Sequence, residues 1–269
     1  MPEISEKSLS DIAAAADIIS SSHHVVVLTG AGISTPSGIP DFRSQNSGLW
    51  QRYDPFEVAS LSAFRQKPEK FFEWLHPLAV TIFNAQPNPA HVGIAQLESA
   101  GIIKAIITQN IDRLHRRAGS KNVLEVHGTL DTLSCVACFH QVASEAYVQR
   151  YLDNATIPHC PECGNVLKPD VILFGEQLPA RTWLRAVEES KKCDLMIVAG
   201  SSLEVLPVAG LPMRAVENGA HLIILNQTPT YLDVRADVVC WDDVAEIIPR
   251  IVREIFRVKP QLSEYLSRL

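Results

Sequence analysis

The apolar positions of this chain fall into two kinds of run. The first kind is short and unbroken, at residues 25–29, 102–108, 123–126, 171–174, 195–199, 221–225 and 237–240. Such runs, bounded by turn residues, suit strands buried on both faces of a parallel sheet. The second kind has helical spacing. At residues 8–20, Leu9, Ile12, Ala16 and Ile19 share one side, and helical patterns return at 89–100, 179–191, 207–218 and 244–258. Strands alternating with helices predict an α/β fold whose parallel sheet is covered on both faces.

Two regions break the alternation. Residues 38–84 are helical and aromatic, carrying Phe56, Phe64, Phe71, Phe72 and Trp74. Residues 128–169 hold four of the six cysteines. We therefore expect a Rossmann-like sheet domain built from residues 1–37, 85–127 and 170–260. The helical insertion 38–84 and the cysteine-bearing segment 128–169 form a smaller domain, and 261–269 is a C-terminal tail.

Ligands of open α/β sheets sit outside the carboxyl ends of the strands, so the residues after each strand are the first candidates for chemistry. After Leu28, the loop Gly30-Ala31-Gly32 offers backbone N–H groups to a phosphate, and Ser34 or Thr35 can cap a helix started by Pro36. Thr35 stands where an ordinary dinucleotide loop has its third glycine, and the acid expected about twenty residues on is absent, so an ordinary redox dinucleotide site is not predicted. The second strand ends in Thr108-Gln109-Asn110-Ile111-Asp112; a helix cap by Asn110 or Asp112 is the alternative reading. His127-Gly128 follows the third run, Gly200-Ser201-Ser202 follows 195–199, and Asn226 follows 221–225. A histidine beside a glycine at a strand end can reach a ligand and titrate near neutrality.

The cysteines change the picture most. Cys135-x-x-Cys138 and Cys160-x-x-Cys163 are two knuckles with the spacing of a four-thiolate zinc ribbon, and Gly164 lets the second turn close. Four sulfurs fill a tetrahedron and leave no open position, which predicts a structural zinc. Cys193 and Cys240 read as buried thiols. At 269 residues, 46% hydrophobic, the chain is long enough for a sizeable core. No stretch is long enough to span a membrane and no signal peptide opens the chain, so a cytoplasmic location is expected. A formal net charge of -6 argues against specific nucleic-acid binding.

Taken together, Gly30-Ala31-Gly32-Ile33-Ser34, Gly38-Ile39-Pro40-Asp41-Phe42-Arg43, Thr108-Gln109-Asn110-Ile111-Asp112, His127-Gly128, the two knuckles, Phe174-Gly175-Glu176 and Gly200-Ser201-Ser202-Leu203 resemble the sirtuins. These are NAD-dependent protein-lysine deacylases. The motifs stand in family order from Leu28 to Asn226. The resemblance implies that Gly30, Ala31, Gly32, Ser34 and Thr35 hold NAD phosphates, with Asp41, Phe42 and Arg43 on a loop over the nicotinamide end. Ile111 and Asp112 would bind the carboxamide, and Gln109 and Asn110 the ribose. Gly200, Ser201, Ser202 and Asn226 would bind the adenosine half, with Asp243 and Val244 near the adenine. His127 would be the general base, with Asn110 and Asp112 its catalytic companions.

The implied reaction transfers the acyl group of acyl-lysine to ADP-ribose, releasing nicotinamide and O-acyl-ADP-ribose. The implied peptide adds as a strand between Val171, Phe174, Gly175 and Glu176 on one side and Leu203, Glu204 and Val205 on the other. Family members that prefer succinyl or malonyl groups carry Tyr-x-x-Arg in the helical insertion. Here Leu75 and Leu78 fall at those places, so neutral acyl groups are expected. Two other readings stay open on sequence: a protein ADP-ribosyltransferase using the same NAD site, and a non-catalytic NAD- or zinc-binding module.

Overall fold

The computed structural model describes residues 6–41 and 48–262. Phe42, Arg43 and most of the 261–269 tail lie outside the described residues. The elements are, in chain order, α1 (Glu6–Ser21), β1 (Val25–Thr29), α2 (Pro55–Val58), α3 (Leu61–Gln66), α4 (Pro68–Asn84), α5 (Pro89–Ser99), β2 (Ile103–Thr108), α6 (Leu114–Arg117) and β3 (Val123–Glu125). They continue as β4 (Gly128–Cys135), β5 (Gln141–Ala143), α7 (Glu145–Asn154), β6 (Leu167–Val171), α8 (Ala180–Lys192), β7 (Leu195–Ala199), α9 (Leu211–Glu217), β8 (His221–Leu225), β9 (Val238–Cys240) and α10 (Val244–Val258).

Six strands form one parallel sheet in the order β3-β2-β1-β7-β8-β9. The apolar runs become its central strands because successive side chains point to opposite faces and both faces are dry. Val25 and Val27 enter the core under α1, α5 and α10, whereas Val26 and Leu28 enter the core under α8 and α9. The α10 pattern buries Ile247, Ile248, Ile251, Val252 and Ile255 against that first face. Burying such side chains contributes roughly 1.5–3 kcal/mol each before chain entropy is set against it.

The strand ends are in step. Thr29 pairs with Thr108 and Ala199, Ala199 with Leu225, Thr108 with Glu125, and Leu225 with Cys240. All the loops that follow therefore emerge along one edge. The strand order reverses between β1 and β7, and this is where an open α/β sheet leaves its crevice.

A second sheet, β5-β4-β6, is antiparallel and carries the knuckles. Here the sequence expectation needs correction. The run 171–174 is not a strand of the main sheet; β6 ends at Val171 and pairs with β4, with Gly128 opposite Val171. The close approach of β4 to β6 depends on Gly128, which has φ 83 and where a Cβ would lie 2.0 Å from the Asp170 carbonyl oxygen. The helix expected after Thr35 is also absent. Residues Ala31–Ile33 and Thr35–Ser37 form two short 3-10 turns with no side-chain cap. Similarly, 207–218 divides into a 3-10 turn at Val208–Gly210 and the shorter α9.

The helical insertion has its own apolar cluster. Phe64, Phe71 and Phe72 meet edge-on at 5.2 to 5.9 Å, and Tyr151 of α7 packs on Phe72 while its hydroxyl donates to the Phe72 carbonyl. Leu114, Val171 and Leu173 join the same cluster.

Candidate active site

Two glycine-bearing loops meet at the reversal point. The Gly30 N–H donates to the Ala199 carbonyl at 3.3 Å and the Gly32 N–H to the Gly200 carbonyl at 2.9 Å. A Cβ on Gly200, whose φ is +63, would lie 2.2 Å from the Ile33 nitrogen. These glycines are needed so that the loops after β1 and β7 can touch. The expectation that Gly30 and Gly32 offer their amides to a phosphate is thereby corrected, because protein carbonyls already hold both. Without the helix after Thr35, no helix N-terminus adds its positive end there either. Thr35 Oγ1 donates to the Gly32 carbonyl at 3.0 Å and closes the loop on itself.

The loop after β2 is tied to this pair. Asn110 Nδ2 donates to the Gly30 carbonyl at 3.0 Å and to Ser34 Oγ at 3.1 Å. Ser34 Oγ donates to Asp112 Oδ2 at 2.6 Å, and the Leu114 N–H donates to Asp112 Oδ1 at 2.9 Å. Asp112 is buried, and burial raises its carboxyl above the usual range while Ser34 and the Leu114 amide pull it back. Asp112 accepts from the first amide of α6, although Arg113 stands at the cap position without a side-chain cap, and Ser34 bridges its carboxylate to Asn110. Gln109 crosses to the β7 side, where its Nε2 donates to Ser201 Oγ at 3.0 Å.

His127 follows β3. Its Nδ1 lies 3.1 Å from the Gln109 carbonyl oxygen. A carbonyl only accepts, so Nδ1 carries the proton and Nε2 carries the lone pair. That is the tautomer a base needs.

The adenosine-end candidates have structural work of their own. Asn226 Nδ2 donates to the carbonyl and hydroxyl of Thr228. Asp243 caps α10 by accepting from the Ala245 N–H at 2.8 Å, and the Val244 side chain is core. These facts narrow what Asp243 and Val244 can offer a ligand to their backbone and one carboxylate oxygen.

The 171–176 segment is not an open strand edge. The N–H groups of Ile172 and Phe174 go to the His127 and Ala59 carbonyls, and the Leu61 N–H takes the Phe174 carbonyl. Glu176 turns inward; its Oε2 accepts from the Leu173 N–H and from Lys168 Nζ at 3.1 Å. In the loop after β7, Leu203 has φ 57 and its N–H donates to Ser201 Oγ at 3.3 Å. The Ile172 and Phe174 amides are therefore already held by protein carbonyls and are not open to an added strand.

The knuckles come together as the spacing predicts. The thiol sulfurs of Cys135, Cys138, Cys160 and Cys163 all lie within 4.8 Å of one another. Neighbouring sulfurs are 3.4 to 3.6 Å apart. A disulfide would bring two of them to about 2.05 Å. A tetrahedron of Zn–S bonds of about 2.3 Å puts them about 3.8 Å apart. Amides of Ala137 and Cys138 point at Cys135 Sγ, and Asn165 Nδ2 at Cys163 Sγ, as thiolates require. The four cysteines are placed to hold a metal ion, and an all-sulfur set suits zinc.

Sequence reasoning missed the support behind these groups. Asn88 caps α5 and also ties the glycine loop, through Ile33 O at 2.8 Å and Ser37 Oγ at 3.0 Å. The Asn88-Pro89 pair is a helix-start signature and was the readable signal. His91 and His115 are buried with ring centroids 4.9 Å apart. Burial lowers His91 to about 4, and burial together with His91 holds His115 well below the ordinary value.

These depressions set a pH dependence. An unfolded histidine takes up a proton near pH 6.5, while the folded His91 does so only near 4. Between those values the unfolded chain binds more protons, so stability is lost as the pH is lowered. His91 alone accounts for roughly 3 kcal/mol of that loss. Asp112 acts oppositely, since a raised carboxyl favours the folded state as pH falls. Urea midpoints should drop between pH 7.5 and 5; equal midpoints would contradict neutral buried rings.

The comparisons with known proteins agree with this geometry. Residues 30–207 match the Sir2 family model. An NAD-dependent protein deacylase 2 of Archaeoglobus fulgidus is 48% identical over 252 residues, covering 93% of this chain and 98% of that protein. An NAD-dependent protein deacetylase of Caldivirga maquilingensis is 44% identical, covering 90% and 92%. A solved structure of Sir2Af2 bound to a myristoylated histone peptide superposes with a TM-score of 0.82 at 42% identity, covering 94% of this chain and 99% of that one. Since the family match covers most of the chain, including both knuckles, and relatives align over nearly all of it, the chain belongs to the Sir2 family.

Proposed function

We propose that this protein is an NAD-dependent protein-lysine deacylase acting on acyl-lysine peptides, with deacetylation among its activities. The observation that carries the reading is the convergence along one sheet edge of Asn110, Asp112 and the Nε2 lone pair of His127, in a chain of this family.

The residues present fit NAD. Asp112 supplies a buried carboxylate and Ile111 a backbone group suited to a carboxamide, while Asn110 and Gln109 reach the ribose. Gly200, Ser201, Ser202 and Asn226 serve the adenosine half, with Asp243 and Val244 beside the adenine. Ala31, Ser34, Thr35, Asp41, Phe42 and Arg43 complete the phosphate and nicotinamide side, and Gly30 and Gly32 act by shaping that loop. Bound NAD supplies an activated ribose carbon from which nicotinamide departs and to which the acyl oxygen adds. This chain's part is positioning, which is worth several kcal/mol when reacting groups are held in line. Asn110 holds the Ser34 hydroxyl on Asp112, so the carboxylate is fixed before NAD arrives. His127 Nε2 takes a proton from a ribose hydroxyl, and the Gln109 carbonyl keeps its ring in the required tautomer. The peptide enters between Gly175 and the Leu203, Glu204 and Val205 segment, with Val171, Phe174 and Glu176 shaping its side of the cleft from within the fold.

Zinc at Cys135, Cys138, Cys160 and Cys163 has no open position and is structural on this reading. The sheet core is one domain (1–37, 85–127, 170–260), and the insertion 38–84 with the ribbon 128–169 the other. Six unpaired cysteines, four at one metal site, suit a reducing compartment such as the cytoplasm.

Acyl preference follows from α4. Leu75 and Leu78 are buried in the aromatic cluster. A succinyl carboxylate there would lose water without gaining a cation. Acetyl and butyryl peptides should turn over at least about tenfold faster than the matched succinyl peptide. Faster desuccinylation would overturn the pocket assignment. Nicotinamide release that depends on the acylated peptide separates this function from ADP-ribosyl transfer, which needs none.

A further inference from the structure

Behind Asn110 runs a buried chain of polar groups that no role above employs. The Asn110 N–H donates to Thr108 Oγ1 at 3.1 Å. Thr29 Oγ1 donates to the same oxygen at 2.9 Å, joining the last residues of β1 and β2. Having given its proton away, Thr29 Oγ1 accepts from His115 Nε2, 3.0 Å distant. His115 is therefore the Nε2–H tautomer, and its Nδ1 is a bare acceptor with no protein partner. His91 packs edge-on against this ring. Its Nδ1 accepts from the Asn88 N–H at 3.4 Å, which leaves Nε2 as a buried donor with no protein partner. Both rings are buried, and both stay neutral in the ordinary working range.

Two buried rings with unpaired atoms cost stability that leucines in the same places would not. Packing alone does not account for them. Their bonds lead to one place. We propose that His115, braced by His91, is a positioning residue of the reaction: through the Thr29 and Thr108 hydroxyls it fixes the backbone at Asn110. The consequence spreads along bonds already described, because the Asn110 amide holds Ser34 and Ser34 holds Asp112. His115 touches no substrate in this scheme. The inference rests on the reading that Asn110 and Asp112 face NAD.

The test compares His115→Leu, His115→Gln, Thr108→Val and the His115→Leu/Thr108→Val double variant, each in the full chain with an acetyl-lysine peptide. His115→Leu should lose about tenfold or more in kcat/KM for NAD, since small misplacements at a reacting centre are costly. Its KM for peptide should not move, and its thermal midpoint should stay level or rise. His115→Gln restores a donor toward Thr29 and should recover to within about threefold of the unaltered protein. Thr108→Val should match the His115→Leu loss, and the double variant should be no worse than either single one. Nitrogen-15 NMR of His115 should show the Nε2–H tautomer. A His115→Leu protein with full turnover, multiplying losses in the double variant, a folded His115→Gln no better than leucine, or an Nδ1–H ring would overturn the proposal. An unaltered protein without NAD-dependent turnover would sink the function and this inference together; normal turnover with an unaffected His115→Leu sinks this inference alone.

Discussion

Replacing His127 with alanine should lower the rate of acyl-lysine turnover by about 10²- to 10⁴-fold, the range a general base contributes. The loss should fall on one step. Nicotinamide leaves before the base is needed, so exchange of labelled nicotinamide into NAD in the presence of acetyl peptide should persist. The protein itself should stay folded. His127 is only half-buried and stands just past the end of β3, so its replacement empties no position of the apolar core. Rapid-quench measurement of nicotinamide and deacylated peptide separates the two steps. Equal loss of both would move His127 from base to NAD binding, and full turnover would remove it from the reaction.

Stripping the metal should be the largest perturbation of stability. The ribbon has little core of its own: its buried cluster is Leu133, Cys135, Cys160 and Leu167, with two of the sulfur ligands among them. Apparent binding energies of about 10–16 kcal/mol for structural zinc sites therefore become folding energy here. Part is offset because β4 spans Gly128 to Cys135 and pairs with β6 at Gly128 and, after a register shift, again from Leu133 to Cys135. A strong chelator should still lower the calorimetric midpoint by about 10 °C or more. Activity should fall with the melting, because β4 begins next to His127. Zinc should restore both and magnesium neither, and metal analysis should find one zinc per chain. A chelated protein with an unchanged midpoint but no turnover would make the metal catalytic, against the closed four-sulfur set.

Much of this was legible in the sequence because its signals are local. An unbroken apolar run needs no distant partner to be read as a buried strand, and the main-sheet runs at 25–29, 195–199 and 221–225 begin and end as read. Cysteine spacing is equally local, and the four sulfurs gather as expected. The errors have a common source in tertiary competition. Residues 171–174 look like another buried strand, yet β6 ends at their first residue, Val171, because β4 supplies its partner. Gly30 and Gly32 look like a phosphate cradle, but the carbonyls of Ala199, the last residue of β7, and Gly200, just after it, claim their amides. Glu176 looks available to a peptide until Lys168 is seen against it. The His91 and His115 pair was illegible for the same reason. Its members are 24 positions apart on different helices, and nothing in either segment announces the other.

The most direct test of the central claim is mass spectrometry of an acetyl-lysine peptide incubated with the purified protein, with and without NAD. The account predicts a loss of acetyl only when NAD is present, matched by nicotinamide and O-acetyl-ADP-ribose in equal amounts. Loss of acetyl without NAD, or NAD cleavage with the ADP-ribosyl group appearing on protein and the peptide still acetylated, would contradict it.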